Sequence, residues 1–274
     1  MRRLSAVTIA DILATGRACA DAARPETLRY FRKAWTEADN KAGPGAFDPV
    51  TEADRAAERA MRAVLAQRRP DDGILGEEYG TSGGTTGLTW VLDPIDGTRG
   101  YLSGTPTWGV LISVADSHGP LFGIIDQPYI GERFEGGLGQ ASLTGPQGVS
   151  DLATRPPRPL GEAIVLTTFP EVGTEAEGRA FRAVAGRARL TRYGMDCYAY
   201  ALVASGQVDL VIEAGLQTYD IHAPIAVVEA AGGIVTDWRG GPAIEGGQVI
   251  AAANPAIHAE ALDILAGALS PGTR

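Results

Sequence analysis

Trp90-Val91-Leu92-Asp93-Pro94-Ile95-Asp96-Gly97-Thr98 is a β-type run that ends in two carboxylates three residues apart, with a Gly and a Thr at a turn immediately behind them. Pro94 has no N–H and disfavours α-geometry at Asp93. The chain is therefore expected to be extended at Asp93 and irregular beyond it. Such a path can aim both Asp side chains and the Ile95 carbonyl at one point. Three converging oxygens suit a hard divalent cation such as Mg²⁺. Read alone, the same letters also describe an Asx-rich turn in which Asp93 or Asp96 caps a helix.

The rest of the chain narrows the choice. Its 274 residues are enough for one large domain or two intimate subdomains with a substantial core. A net charge of −9 leaves no global basic field to attract nucleic acid or an anionic membrane. An anionic substrate would need local positive charge, which a bound cation can supply. Two cysteines, Cys19 and Cys197, make neither a disulfide framework nor a metal site. His118, His222 and His258 lack the paired spacing of a zinc centre. Asp11, Gly16 and Arg17 interrupt the apolar positions that follow Arg2-Arg3, which favours an amphipathic first helix over a secretory leader. No stretch approaches the ~20 apolar residues of a membrane span. A cytoplasmic protein is the expectation.

Periodicity places helices over residues 4–23 and 52–68, the second with Thr51 as N-cap and Asp54 at its third position, as in a capping box. A short β-like segment, 73–76, ends in Glu77-Glu78. Beyond the opening strand, segments 108–115, 121–126, 132–136 and 140–143 alternate with Gly-rich turns in an antiparallel pattern. Residues 145–161 carry four prolines and read as a connector. Strands at 163–168, 189–193, 208–213, 234–238 and 248–253 then alternate with helices at 174–186, 196–205, 220–231 and 255–269. The fold class is α/β: an α+β subdomain over 1–145 with most of the acidic positions, and an α/β subdomain over 146–274.

Glu77, Asp93, Asp96 and Asp220 all stand where elements end or begin, and Asp54 lies in a first helical turn. Any one of them reads equally well as solvated surface charge. Clustered without a cation they would repel strongly, and some would protonate. Two or three Mg²⁺ ions would make such a cluster sensible.

Gly76-Glu77-Glu78, then Asp93 to Thr98, then Tyr219-Asp220 with Glu229-Ala230-Ala231-Gly232-Gly233, resemble the inositol monophosphatase family of Mg²⁺-dependent, lithium-sensitive phosphomonoesterases. Asp48-Pro49-Val50-Thr51-Glu52-Ala53-Asp54 matches a further family segment, and the likeness runs from about residue 5 to 269 in the family's order. The resemblance implies a layered αβαβα sugar-phosphatase-like fold, a phosphate ester as substrate and at least a homodimer. It also implies Glu77, Asp93, the Ile95 carbonyl, Asp96 and Asp220 as metal ligands. Asp54, Thr98 and Glu77, with Thr51 in support, would orient and activate the attacking water. Asp96, Gly97, Thr98 and Asp220 would meet the substrate, and backbone N–H groups at 97 and 98 can hold phosphate oxygens. Lys41 is a further candidate near the site.

The segment Arg192-Tyr193-Gly194-Met195-Asp196-Cys197-Tyr198-Ala199-Tyr200-Ala201-Leu202 resembles the histidinol-phosphatase branch of that family. Asp93 to Ile112, with Arg99, Tyr101 and Trp108-Gly109, points the same way. A carboxylate at 196 suits a substrate bearing an amine and an imidazole, and Glu213 can add a second acceptor. Asp196 reads equally as the N-cap of a helix over 197–205. Arg192 reads as a contact to phosphate, to a neighbouring subunit or to solvent alone. Tyr198, Tyr200 and Trp238 are expected in the core or at an interface. The rival expectations are another phosphomonoester, such as myo-inositol 1-phosphate or fructose 1,6-bisphosphate, and a regulatory homologue without turnover.

Overall fold

The computed structural model describes residues 4–33, 39–40, 49–50 and 52–269; Thr51 and Lys41 lie outside them. Helix α1 (Ala6–Tyr30) is capped by Ser5, whose hydroxyl accepts the Thr8 N–H at 3.1 Å. It runs a full two turns past the expected end at residue 23, through Pro25. The last turns are held from outside, because the Tyr101 hydroxyl donates to the Thr27 carbonyl at 2.7 Å. Tertiary packing overrides the proline there. Two short strands, β1 (Asp39–Asn40) and β2 (Pro49–Val50), pair with each other. Helix α2 (Glu52–Arg68) has the predicted bounds.

An eight-stranded sheet follows from β3 (Gly73–Gly76), β4 (Gly80–Ser82), β5 (Thr89–Asp96), then, after the short helix α3 (Thr98–Ser103), β6 (Gly109–Asp116), β7 (Gly119–Gln127), β8 (Glu132–Gly137), β9 (Gln140–Gly145) and β10 (Gly148–Asp151). Its order is β10-β9-β8-β7-β6-β5-β3-β4, antiparallel except for the parallel pair β3/β5. Strand β10 lies in what reads by sequence as a featureless connector. Its four residues are all exposed, so no hydrophobic alternation marked it.

Past a turn at Leu160–Glu162 come β11 (Ile164–Thr167), α4 (Glu175–Ala185), β12 (Leu190–Tyr193), α5 (Tyr198–Ala204), β13 (Leu210–Leu216), α6 (Thr218–Ala230), β14 (Ile234–Thr236), β15 (Gly247–Ala252) and α7 (Pro255–Leu269). The second sheet has the order β12-β11-β13-β15-β14, with β11 parallel to both neighbours.

Alternation along the strands sets the layers. Trp90, Leu92, Val110, Ile112, Phe122 and Ile124 point to α1 and α2, while Leu111, Ile125 and Phe134 point the other way, to α5 and α6. In the smaller sheet Leu166, Val211 and Ala251 face that same helical layer. Val165, Leu210, Ile212 and Ile250 face α4 and α7. The result is the five-layer αβαβα arrangement that the family resemblance implies. Gly123 and Gly136, partners across β7 and β8, let α6 lie directly on the sheet. A Cβ would come within 2.6 Å of the Ala223 carbonyl oxygen at the first, and within 2.4 Å of the Val227 Cα at the second. Among the described residues no helix is long and apolar enough to cross a membrane.

Candidate active site

A cleft of about 370 Å³ opens where β3 and β5 of the larger sheet end beside β11 and β13 of the smaller one. Strand β5 is buried on both faces from Trp90 to Ile95, and the chain leaves the core at Asp96. The pairing with β6 slips between Asp93 and Asp96, the irregularity anticipated at Pro94. Gly97 then adopts φ +86° and starts α3, in a left-handed conformation that glycine alone adopts at no steric cost. Two local bonds set the turn: Ile95 N–H donates to Asp93 Oδ1 at 3.1 Å, and the Thr98 hydroxyl donates to the Ile95 carbonyl at 3.2 Å.

Asp93, Asp96 and Asp220 present carboxylate oxygens that all lie within 4.8 Å of one another. Asp220 comes from the first turn of α6, where its Oδ2 accepts the Gln217 N–H at 2.7 Å. Glu77 joins them from the end of β3, its own N–H bonded to the Leu92 carbonyl at 3.1 Å. Burial, and then the charges of Glu77, Asp96, Asp220 and Asp54, push the Asp93 carboxyl well above the usual range. Asp96 is pushed up likewise by burial, Asp220 and Asp196, against the pull of bonds from Cys197. So many carboxylates at such spacing are mutually destabilising as anions. All the donors are oxygens, and a hard divalent cation fits both their chemistry and their charge. Asp54 is buried in α2 behind this group; it does not line the cleft, although its charge reaches Asp93.

The far wall carries the second-half residues. Asp196 does not cap α5, whose N-cap is Cys197 with no side-chain cap bond. It stands at φ +46° with its carboxylate laid over Gly97, where a Cβ would meet Asp196 Cγ at 2.6 Å. The Thr107 hydroxyl donates to Asp196 Oδ2 at 3.3 Å. Burial raises the Asp196 carboxyl, opposed by that bond and by Arg99. Glu213 accepts the Thr168 N–H at 2.7 Å, the Thr168 hydroxyl at 2.8 Å and the Thr167 hydroxyl at 3.1 Å. Burial nevertheless pushes it up to about 7. Arg192 sits exposed on edge strand β12, outside the cleft lining. Tyr200 and Trp238 are core residues, 3% exposed each.

Arg99, Thr168, Phe169 and Tyr200 also line the cleft, and sequence reading assigned none of them a part in it. The Arg99 guanidinium stacks over the Phe169 ring, 4.6 Å from its centroid. Thr168 and Phe169 follow the carboxyl end of a parallel strand, the position where open α/β sheets usually bind ligands, and that rule could have found them. Among the described residues the lining holds six carboxylates and the single guanidinium of Arg99.

A layered αβαβα chain with converging acidic strand ends defines a class of phosphatases, and comparison with known proteins agrees. The model of the inositol monophosphatase family matches residues 9–269. The chain belongs to that family, and so to the phosphoric monoester hydrolases. It is similar to the bifunctional phosphatase IMPL2, chloroplastic, of Arabidopsis thaliana, 39% identical over 96% of this chain and 77% of the other. It is also similar to the histidinol-phosphatase of Streptomyces coelicolor, 34% identical over 93% of this chain and 97% of the other. The solved structure of an inositol monophosphatase from Zymomonas mobilis superposes with a TM-score of 0.83 at 38% identity, covering 96% of this chain and all of that one.

Proposed function

We propose that this protein is a Mg²⁺-dependent histidinol-phosphatase, converting L-histidinol phosphate and water to L-histidinol and phosphate, a step of histidine biosynthesis. The observation that carries the reading is the Asp196 carboxylate. It is built over the Gly97 turn and engaged by Thr107 rather than spent on capping α5. With Glu213 it gives the far wall two carboxylates where an ammonium and an imidazole need acceptors. The histidinol-phosphatase of Streptomyces coelicolor among the relatives supports the same substrate. The Zymomonas mobilis structure favours the second reading, hydrolysis of an inositol monophosphate on the same acidic cluster.

In this scheme Glu77, Asp93, the Ile95 carbonyl, Asp96 and Asp220 hold two or three Mg²⁺. When bound, these ions neutralise phosphate charge, lower the pKa of the attacking water and stabilise the leaving alkoxide. The protein's own part is positioning, which phosphoryl transfer chiefly requires. Thr98, which lines the cleft, orients the attacking water with Thr51, and Asp54, buried behind Asp93, helps to activate it. The N–H groups of Gly97 and Thr98 face phosphate oxygens. Asp96 and Asp220 border the ester, and Asp196 and Glu213 hold its cationic end. Arg99, stacked on Phe169, closes the cleft rim beside the phosphate. Arg192, exposed on β12, is assigned to a partner subunit of a homodimer. A cytoplasmic setting accords with two buried free cysteines, Cys19 and Cys197. Phosphate release from a panel of esters with and without Mg²⁺ tests the reading. Histidinol phosphate is expected to be the best substrate, and equal turnover of myo-inositol 1-phosphate would remove the narrower claim.

A further inference from the structure

Helix α2 turns an unusual face to the core. Its buried stripe runs Ala53, Asp54, Ala57, Glu58, Met61 and Leu65, and it carries two carboxylates one turn apart. Asp54 has a place in the proposed reaction. Glu58, fully buried, has none. A lone buried carboxylate is costly, so its partners show what it is for.

Glu58 Oε2 accepts the Glu78 N–H at 2.7 Å, and Oε1 accepts the Tyr79 N–H at 3.3 Å. Arg62, one turn on, donates its Nε to Oε1 at 2.7 Å and an Nη2 proton to the Gly80 carbonyl. The carboxylate lies flat on the bare backbone of Gly76, where a Cβ would stand 2.0 Å from Oε1. Glu58 thus packs against the backbone immediately before Glu77 and bonds to the backbone immediately after it. The turn that carries Glu77 into the cleft is held by α2 as well as by its own pairing, with the Glu77 N–H on the Leu92 carbonyl and Gly76 opposite Gly80. The helix that brings Asp54 behind Asp93 therefore also sets Glu77 in register with it.

We infer that Glu58 is the positioning residue of the acidic cluster, holding Glu77 at its distance from Asp93 and so setting affinity for a divalent cation. This rests on the reading of Glu77 as a metal ligand. Groups that orient metal ligands typically contribute tenfold to a hundredfold in metal affinity.

The test is calorimetric titration of Mg²⁺ into the metal-free, full-length chain, without substrate, below the melting temperature of every variant. Wild type, Glu58→Gln, Glu77→Gln and the double variant are compared. Glu58→Gln is expected to weaken Mg²⁺ binding on the order of tenfold. Glu77→Gln should weaken it at least as much, and the double variant no more than Glu77→Gln alone. Wild-type binding by Glu58→Gln beside weakened binding by Glu77→Gln would overturn the inference, leaving Glu58 a support of the fold only. Unchanged binding by Glu77→Gln would remove the ligand reading itself, and the inference with it. If Glu58→Gln does not fold, Glu58→Asp replaces it. That variant keeps a charge beside Arg62 and withdraws the oxygens from Glu78 and Tyr79. The same loss is expected, and wild-type binding would overturn the inference.

Discussion

The Cys197 backbone N–H donates to Asp96 Oδ2 at 2.6 Å, across 101 positions of sequence. That one bond joins the acidic cluster at the end of β5 to the segment that turns Asp196 over Gly97. The group proposed to hold metal and the group proposed to choose the substrate are mechanically one unit. Substitution of Asp96 should therefore disturb both functions. Asp96→Asn is expected to raise the Mg²⁺ concentration for half-maximal activity by about tenfold or more, since losing a ligand costs no less than losing a group that orients one. It should also raise KM for every phosphate ester tried. Steady-state kinetics at several Mg²⁺ concentrations would show an isolated effect on one substrate if the coupling were absent.

The cluster is destabilising without a cation. Burial and four neighbouring carboxylates hold the Asp93 carboxyl above its usual range, so an amide there relieves repulsion. Metal-free Asp93→Asn is expected to melt about 3 °C or more above metal-free wild type, the shift that roughly 1 kcal/mol produces in a chain of this size. Added Mg²⁺ should raise the melting temperature of wild type and leave the variant nearly unmoved, and turnover should fall by about a thousandfold or more. Thermal denaturation with and without Mg²⁺ checks the first two. A destabilised apo variant would count against the electrostatic account.

Glu213 offers a pH signature. Its carboxyl is pushed from 4.5 up to about 7 by burial, while Thr167 and Thr168 pull the other way and Asp196 adds to the rise. Between these values the folded protein keeps a proton that the unfolded chain releases. The stability contributed by the neutral group is complete below the lower value and is lost as pH rises through about 7. A cationic substrate needs the ionised form. Hence KM for histidinol phosphate should climb as pH falls below about 7. Glu213→Gln should have a raised KM whose remaining pH dependence is that of the substrate's own imidazole and phosphate. A wild-type pH profile surviving in Glu213→Gln would assign the titration elsewhere.

Asp220 depends on glycines far from it in sequence. Because Gly123 and Gly136 admit α6 against the sheet, an alanine at either forces that helix outward. Gly136→Ala is expected to cost about 1–3 kcal/mol or more in chemical denaturation, as overpacked cores do. Folded Gly136→Ala should also bind Mg²⁺ more weakly, since α6 carries Asp220. Full stability would mean the contact relaxes at no cost.

What was legible in the sequence was local. Pro94 and Gly97 mark the turn that gathers Asp93, Ile95 and Asp96, and Glu77 and Asp220 stand at element ends that periodicity locates. Periodicity gave the strands and the six longer helices and so the α/β class, while the five layers were implied by the family resemblance and are built by alternation in strands such as β5 to β7. The place of Asp196 was not legible. It depends on a positive φ and on a bare Gly97 nearly a hundred residues upstream, and the same letters also make a helix cap. Glu58 was hidden for a related reason, because an acid in a charged helix reads as surface until its neighbours in the stripe, Ala57, Met61 and Leu65, are seen to be core. The final turns of α1 were missed because a tertiary contact holds them, and strand β10 because it is an all-exposed hairpin partner of β9 with no hydrophobic alternation.

The most direct test of the central claim is the ratio of kcat/KM for L-histidinol phosphate to that for myo-inositol 1-phosphate, in wild type and in Asp196→Ala. Hydrogen bonds to a charged group contribute about 1.5–3 kcal/mol, or roughly tenfold to a hundredfold. Wild type is expected to favour histidinol phosphate by about a hundredfold or more, and Asp196→Ala to lose roughly tenfold to a hundredfold of that ratio while keeping its rate on the inositol ester. A wild-type ratio near or below unity, or one unchanged by Asp196→Ala, would contradict the account.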